Sequence, residues 1–204
     1  MSMTILYELG DNLYVNLTNR CNCRCVFCLR NNRDHVQDTD SLWLEHEPTV
    51  EEVLEEAKKF DFSQYREIVF CGYGEPTLRL DDLLTIAETW KQESPSLIIR
   101  INTNGLSDLQ YQTDTAKKMA GIIDKVSISL NASEKKHYFE LTRSSFGVDS
   151  FDGLLTFARH CREYGISVRF SIVDLLPEQE IWECKAISEK LSVPLEIRIY
   201  EPKE

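Results

Sequence analysis

The chain has 204 residues, 42% of them hydrophobic and 28% charged, with 23 Lys+Arg against 34 Asp+Glu for a formal charge of −11. That length fits one domain or two small ones, and the composition is that of a globular chain able to fill its own core, which excludes a disordered one. The acidic balance weighs against a general nucleic-acid binder, no apolar run approaches the roughly 18 residues of a membrane span, and the segment from Met1 to Asn12 has neither the basic nor the apolar region of a secretory leader.

In chain order, residues 13–18 form the first apolar or β-branched run that reads as a strand. Further strands are expected at 67–72, 97–102, 125–130, 167–173 and 195–200. Between the first two, Thr49 precedes Glu52 at capping-box spacing, and Val50, Val53, Leu54, Ala57 and Phe60 repeat at helical period. Residues 80–93 and 115–121 read as the next helices. Phe151, Leu154, Leu155, Ala158 and Cys161 mark another, and Pro177 followed by Ile181, Cys184, Ile187 and Leu191 marks the last. The longest connection runs over residues 29–47, a length that usually carries function or mobility.

Alternating strands and helices imply parallel strands joined by right-handed crossovers, with helices covering the sheet. Periodicity alone leaves a partial barrel and an open doubly wound sheet as alternatives. In both, chemistry gathers at the strand C-terminal ends. The polar, glycine-rich and cysteine-rich residues after each strand are therefore the candidates.

Cysteine usage is more informative than charge. The chain has seven cysteines, and Cys21, Cys23, Cys25 and Cys28 crowd into one loop after the first strand. An odd count without a leader points to free thiols in a reducing, cytoplasmic setting rather than a disulfide framework. Cys25-x2-Cys28 is half of a zinc pattern, but a second half is missing, and His35 and His46 are not at ligand spacing. Cys21-x3-Cys25-x2-Cys28 offers three thiolates for three irons of a four-iron cluster and leaves the fourth iron open. A ferredoxin-like loop would need a fourth thiolate, with Cys23 the near candidate. Cys23 is expected to turn away from Cys25.

The Cys-x3-Cys-x2-Cys spacing, with Phe27 before its last cysteine, resembles the signature of the radical S-adenosylmethionine (SAM) superfamily. The resemblance implies a partial (β/α)6 TIM-type barrel of parallel strands with outer helices, a single core domain without an appended auxiliary-cluster domain. It implies a [4Fe-4S] cluster on Cys21, Cys25 and Cys28, with SAM on the open iron and Phe27 beside it. An electron donor such as flavodoxin or ferredoxin would reduce the cluster, and the 5′-deoxyadenosyl radical from SAM would abstract hydrogen from a substrate. Gly72-Tyr73-Gly74-Glu75-Pro76 resembles the family's Gly-Gly-Glu segment, which holds the SAM amine; it departs from that pattern at Tyr73.

By the same resemblance, Asn102 and Asn104 line the SAM site or simply form an Asn-Gly turn with Gly105. Ser129 and Asn131 fall at ribose-contacting positions, and Ser171 at a sugar or adenine position. Arg143 pairs with the SAM carboxylate or lies on the surface. Glu196, Arg198 and Tyr200 share one face of the last strand, which either lines the barrel or protects an edge. Cys161 and Cys184 lie on apolar helix stripes and read as core; Cys71, directly before the glycine turn, reads as buried packing or as a thiol near the radical, with packing favoured. The size, the Thr18-Asn19-Arg20-Cys21 start and the Gly-Tyr-Gly-Glu-Pro turn are similar to the short TatD-associated members. Expected substrates are a protein or peptide that covers the open barrel, or a nucleoside or other small metabolite; an iron–sulfur electron carrier is the non-enzymatic alternative.

Overall fold

The computed structural model describes residues 3–31, 33–36 and 39–200. Strands β1 (Leu6–Leu9) and β2 (Asn12–Val15) form an antiparallel hairpin whose turn uses Gly10 at φ 55°, a left-handed conformation natural to glycine. β3 (Glu67–Phe70), β4 (Ile99–Thr103), β5 (Lys125–Ser129), β6 (Ser167–Val173) and β7 (Leu195–Arg198) then add in sequence order, each parallel to the one before. The result is one seven-stranded sheet with β1 and β7 at its two edges, a partial (β/α) barrel of the TIM type.

The crossovers carry α1 (Val50–Ala57), α2 (Leu80–Glu93), α3 (Ser107–Tyr111), α4 (Ala116–Met119), α5 (Lys135–Thr142), α6 (Ser150–Glu163) and α7 (Glu178–Leu191). α1 starts on a full capping box, with the Glu52 amide donating to Thr49 Oγ1 (3.2 Å) and the Thr49 amide donating to the Glu52 carboxylate (2.8 Å). No helix among the described residues is long and apolar enough to cross a membrane.

Period-2 alternation sorts each parallel strand into two faces. The outer face (Ile68, Phe70, Ile99, Ile101, Val126, Ile128, Phe170, Ile172) is fully buried beneath the helices. Leu83 and Trp90 of α2 and Leu154 and Phe157 of α6 pack against it; Trp90 stacks on Phe70 with ring centroids 6.0 Å apart. Each such side chain contributes about 1.5–3 kcal/mol through burial, so this layer fixes the sheet and leaves the inner face free for polar residues. Cys161 and Cys184 are buried in the helix layer, as expected of packing thiols.

Sequence reading undercounts the strands. β1 was not expected, because Leu6–Leu9 is four residues with Glu8 among them and gains its partner only through the Gly10 turn. The first ladder ends at Val15 and the second at Phe70, so residues 16–18 and 71–72 continue as loops into the site. The expected strand 97–102 shifts to Ile99–Thr103, and those at 125–130 and 195–200 end at Ser129 and Arg198. The helix expected at 115–121 covers only Ala116–Met119, with Gly121 beyond it at φ 78°. α3 and α5 were missed; five residues, and a lysine-led run with a weak apolar stripe, give little periodic signal.

Candidate active site at the strand C-terminal ends

The cysteine loop leaves β2 through residues 16–20 and is held from both sides. Arg20 pairs with Glu47 (Nε to Oε1 2.7 Å), which also accepts from Thr18 Oγ1. Farther on, the Arg24 amide donates to the Thr142 carbonyl (2.8 Å) and the Val26 amide to the Leu141 carbonyl (2.9 Å), so the loop is pinned onto the end of α5. Val26 and Phe27 form a turn closed by the Cys28 amide on the Cys25 carbonyl (3.2 Å); Phe27 is half-buried there. Cys21, Cys25 and Cys28 each keep some exposure and lie within electrostatic range of one another.

Cys23 does not turn away from Cys25, contrary to expectation. It is buried (2% exposed), with its thiol in reach of both Cys21 and Cys25; residues two apart on an extended segment share a face, so alternation itself places Cys23 on the side of Cys25. Hydrogen bonds from Cys23 hold the Cys21 and Cys25 thiols below their ordinary range, and those same bonds, with burial, push Cys23 far up. Burial raises Cys28.

The turn after β3 clamps the start of this loop. A Cβ on Gly74 would stand 2.2 Å from the Thr18 carbonyl oxygen, and one on Gly72 would stand 2.0 Å from Asn16 Oδ1, so only glycine allows this approach. The Glu75 amide donates to the Arg20 carbonyl (2.8 Å). Tyr73 is buried against Leu42, its hydroxyl donates to the Arg33 carbonyl (2.5 Å), and burial pushes it up to about 12. Its task is to hold the 29–47 connection, which explains why a large residue stands between the two glycines.

Glu75 is buried and serves the loops themselves. Oε1 accepts from Thr77 Oγ1 and Thr103 Oγ1 (2.7 Å each) and from the Thr77 amide (3.1 Å); Oε2 accepts from the Asn104 amide (2.8 Å). Burial raises its carboxyl and those donors pull it back. Asn104 in turn braces the cysteine loop, donating from Nδ2 to Asn22 Oδ1 (2.6 Å), with Cys23 Sγ 3.6 Å from that nitrogen. Asn102 sits on the inner face, accepting from Arg100 (2.6 Å) beside Cys71.

Ser129, the last residue of β5, is the register partner of Ser171 in β6, and Asn131 follows β5 at φ 59° with its Oδ1 buried and unpartnered. The Tyr138 hydroxyl of α5, also buried and unpartnered, lies within electrostatic range of Cys23, Cys25 and Cys21. Sequence reading missed Tyr138, since nothing in a lone aromatic on an unrecognised helix signals a role. The Tyr138 hydroxyl near the thiol loop and Asn131 Oδ1 after β5 are two buried polar atoms that a bound polar ligand could satisfy, which fits a site of this kind. Arg143 is exposed at the C-terminal end of α5 and lines a cleft of about 380 Å³ with Arg24, Arg30 and Cys25.

Of the two readings of Cys71, the structure favours the thiol on the inner face over core packing. It sits on the inner face, partly exposed, beside Asn102 and within range of Arg198 and Arg100. Arg198 shares that face: it is exposed at the C-terminal end of β7, and partial desolvation pulls its guanidinium below the ordinary range.

The family model described as Radical SAM superfamily matches residues 15–191. This chain belongs to the radical SAM superfamily. It is 28% identical over 197 residues to a probable GTP 3′,8-cyclase of Thermococcus kodakarensis, covering 95% of this chain and 58% of that protein. In fold it is similar to methylornithine synthase, with a TM-score of 0.69 and 17% identity over 95% of this chain and 54% of the other. It is likewise similar to anSMEcpe with bound AdoMet, with a TM-score of 0.62 and 15% identity over 92% and 50%. The radical SAM chain thus spans less than two thirds of the length of each of these proteins.

Proposed function

We propose that this chain is a radical SAM enzyme in which Cys21, Cys25 and Cys28 hold a four-iron cluster, SAM lies over the strand ends, and the substrate occupies the lumen. When bound and reduced, that cluster with SAM supplies a 5′-deoxyadenosyl radical that abstracts hydrogen from the substrate. The carrying observation is the loop itself: three partly exposed cysteines within range of one another, with Cys23 buried among them.

The protein's own residues bind, orient and exclude water. The backbone of Gly72–Glu75 receives the SAM amine, and the buried Glu75 holds that backbone against Arg20 and Asn104. Ser129, Ser171 and the unpartnered Asn131 Oδ1 receive ribose hydroxyls. Asn104 braces the cysteine loop, and Asn102 faces the lumen. Arg143, on the outside of the loop, is a less direct partner for the SAM carboxylate. A flavodoxin- or ferredoxin-type donor supplies the electron.

A protein or peptide segment that closes the open mouth is one form of substrate. The other is a small metabolite, and the likeness to proteins named GTP 3′,8-cyclase favours it. The narrower likeness to TatD-associated members rests on residues 18–21 and 72–76 alone. Anaerobic reconstitution with iron and sulfide, then dithionite and SAM, tests the reading: 5′-deoxyadenosine forms, and Cys25→Ala abolishes it. A stable cluster that never yields 5′-deoxyadenosine would leave the electron carrier instead.

A further inference from the structure

The chain as a whole is acidic, at −11, but its lumen is not. Six charged residues face inward from β3 to β7: Glu67, Arg100, Lys125, Arg169, Glu196 and Arg198. Four cations therefore stand against two carboxylates. At the floor, Glu67 accepts from Arg100 Nε (2.7 Å) and Lys125 Nζ (2.8 Å). One layer higher, Arg169 donates to Ser127 Oγ (3.0 Å) and pairs with Glu196 (3.1 Å). Both carboxylates are thus engaged below the mouth.

Arg198 lies two residues beyond Glu196 on the same face, at the C-terminal end of β7, the end that carries the cysteine loop. Its backbone is fixed by the Asp174 amide on its carbonyl (3.0 Å). Its guanidinium has no hydrogen bond or ion pair among the described residues; Cys71, Glu196, Arg169 and Cys25 lie within electrostatic range. Arg198 is open to solvent at the mouth and its fork is unengaged, so it is free to meet an incoming anion. The planar fork of arginine matches carboxylate and phosphate oxygens two at a time.

We infer that the substrate carries a carboxylate or phosphate oxyanion, and that Arg198, backed by Arg169, receives it at the lumen mouth. This rests on the proposed reading of the lumen as the substrate site. It sets the anionic end against β7 and leaves the rest of the substrate facing the cysteine loop.

The test is calorimetric titration of the reconstituted protein, with and without SAM, at fixed ionic strength. Inorganic pyrophosphate probes the phosphate source and succinate the carboxylate source. At least one binds the wild type, Arg198→Gln weakens it about tenfold or more, Arg198→Lys recovers part of the loss, and Lys190→Gln, on the outer α7, changes nothing. SAM affinity stays level in all of them. Neither anion binding, equal binding by Arg198→Gln, or a loss of SAM affinity in Arg198→Gln in place of anion affinity would overturn the inference; the last would assign Arg198 to SAM. A protein that makes 5′-deoxyadenosine but ignores both anions refutes this inference alone. One that binds an anion through Arg198 but never cleaves SAM refutes the enzyme reading alone.

Discussion

Gly74→Ala is the sharpest test of how the site is built. The added Cβ would lie 2.2 Å from the Thr18 carbonyl oxygen, 2.5 Å from the Arg20 carbonyl oxygen and 2.7 Å from the Thr18 carbonyl carbon. All three are backbone atoms, so no rotamer change relieves the overlap, and Gly74 has no positive φ to add a conformational cost. Overpacking of this kind costs about 1–3 kcal/mol, which lowers Tm by roughly 2–12 °C in a chain of this length. The displaced strand of loop runs directly into Cys21, so iron bound per chain after reconstitution falls with stability. Gly165→Ala is the comparison: Gly165 has φ 77° with nothing within 4 Å of its Cβ, so it costs about 1–2 kcal/mol through conformation only. Both variants melt lower, and Gly74→Ala alone loses iron. Full iron and an unchanged Tm in Gly74→Ala would refute the clamp, as would equal iron loss in both.

Glu67→Gln leaves Arg100, only 5% exposed, without its ionic partner; urea unfolding should show a loss of about 3–5 kcal/mol. Burial works to raise the Glu67 carboxyl, but Lys125 and Arg100 outweigh it and hold it below its usual 4.5. Its stabilisation is therefore present above that value and is lost as the pH falls through the folded-state pKa, so the wild type should show an acid-dependent loss that Glu67→Gln lacks. Cys23→Ala should keep its iron while the apo-protein's Cys21 and Cys25 thiols titrate higher, read by thiolate absorbance, because both lose the Cys23 hydrogen bond. Loss of the cluster in Cys23→Ala would make Cys23 a ligand.

What the sequence carried openly was local. Three cysteines seven residues apart end to end, a capping box, and stripes of apolar residues at period 3.6 or 2 are features of neighbouring positions. The outer strand face and α2, α6 and α7 follow from them. The missed hairpin strand and α5 are elements whose stability comes from partners distant in sequence: β1 from β2 through one turn, and α5 from packing Tyr138 and from the carbonyls at its end that receive the cysteine loop. Cys23 illustrates the same limit. Residues two apart on an extended segment share a face, so Cys23 lies with Cys21 and Cys25, and its burial is set by the two bonds that pin the loop onto α5.

The inner face shows where period-2 reasoning stops and three-dimensional evidence begins. Alternation puts Glu196 and Arg198 on one face of β7, but at a sheet edge it does not say whether that face meets solvent or the lumen. The ion pair from Arg169 to Glu196 decides, because Arg169 also reaches Ser127 across β5, on the face opposite the buried Val126 and Ile128. Once Glu196 is inward, Arg198 follows by the strand's own period, and Cys71 and Asn102 meet it there. The same step recasts Glu75. Beside a glycine turn its carboxylate reads as a ligand for an ammonium group, yet Thr77, Thr103 and Asn104 take both of its oxygens. Its bonds join the β3 and β4 loops beneath the cysteines, so the charge that faces the lumen comes from the barrel wall, and chiefly from Arg198.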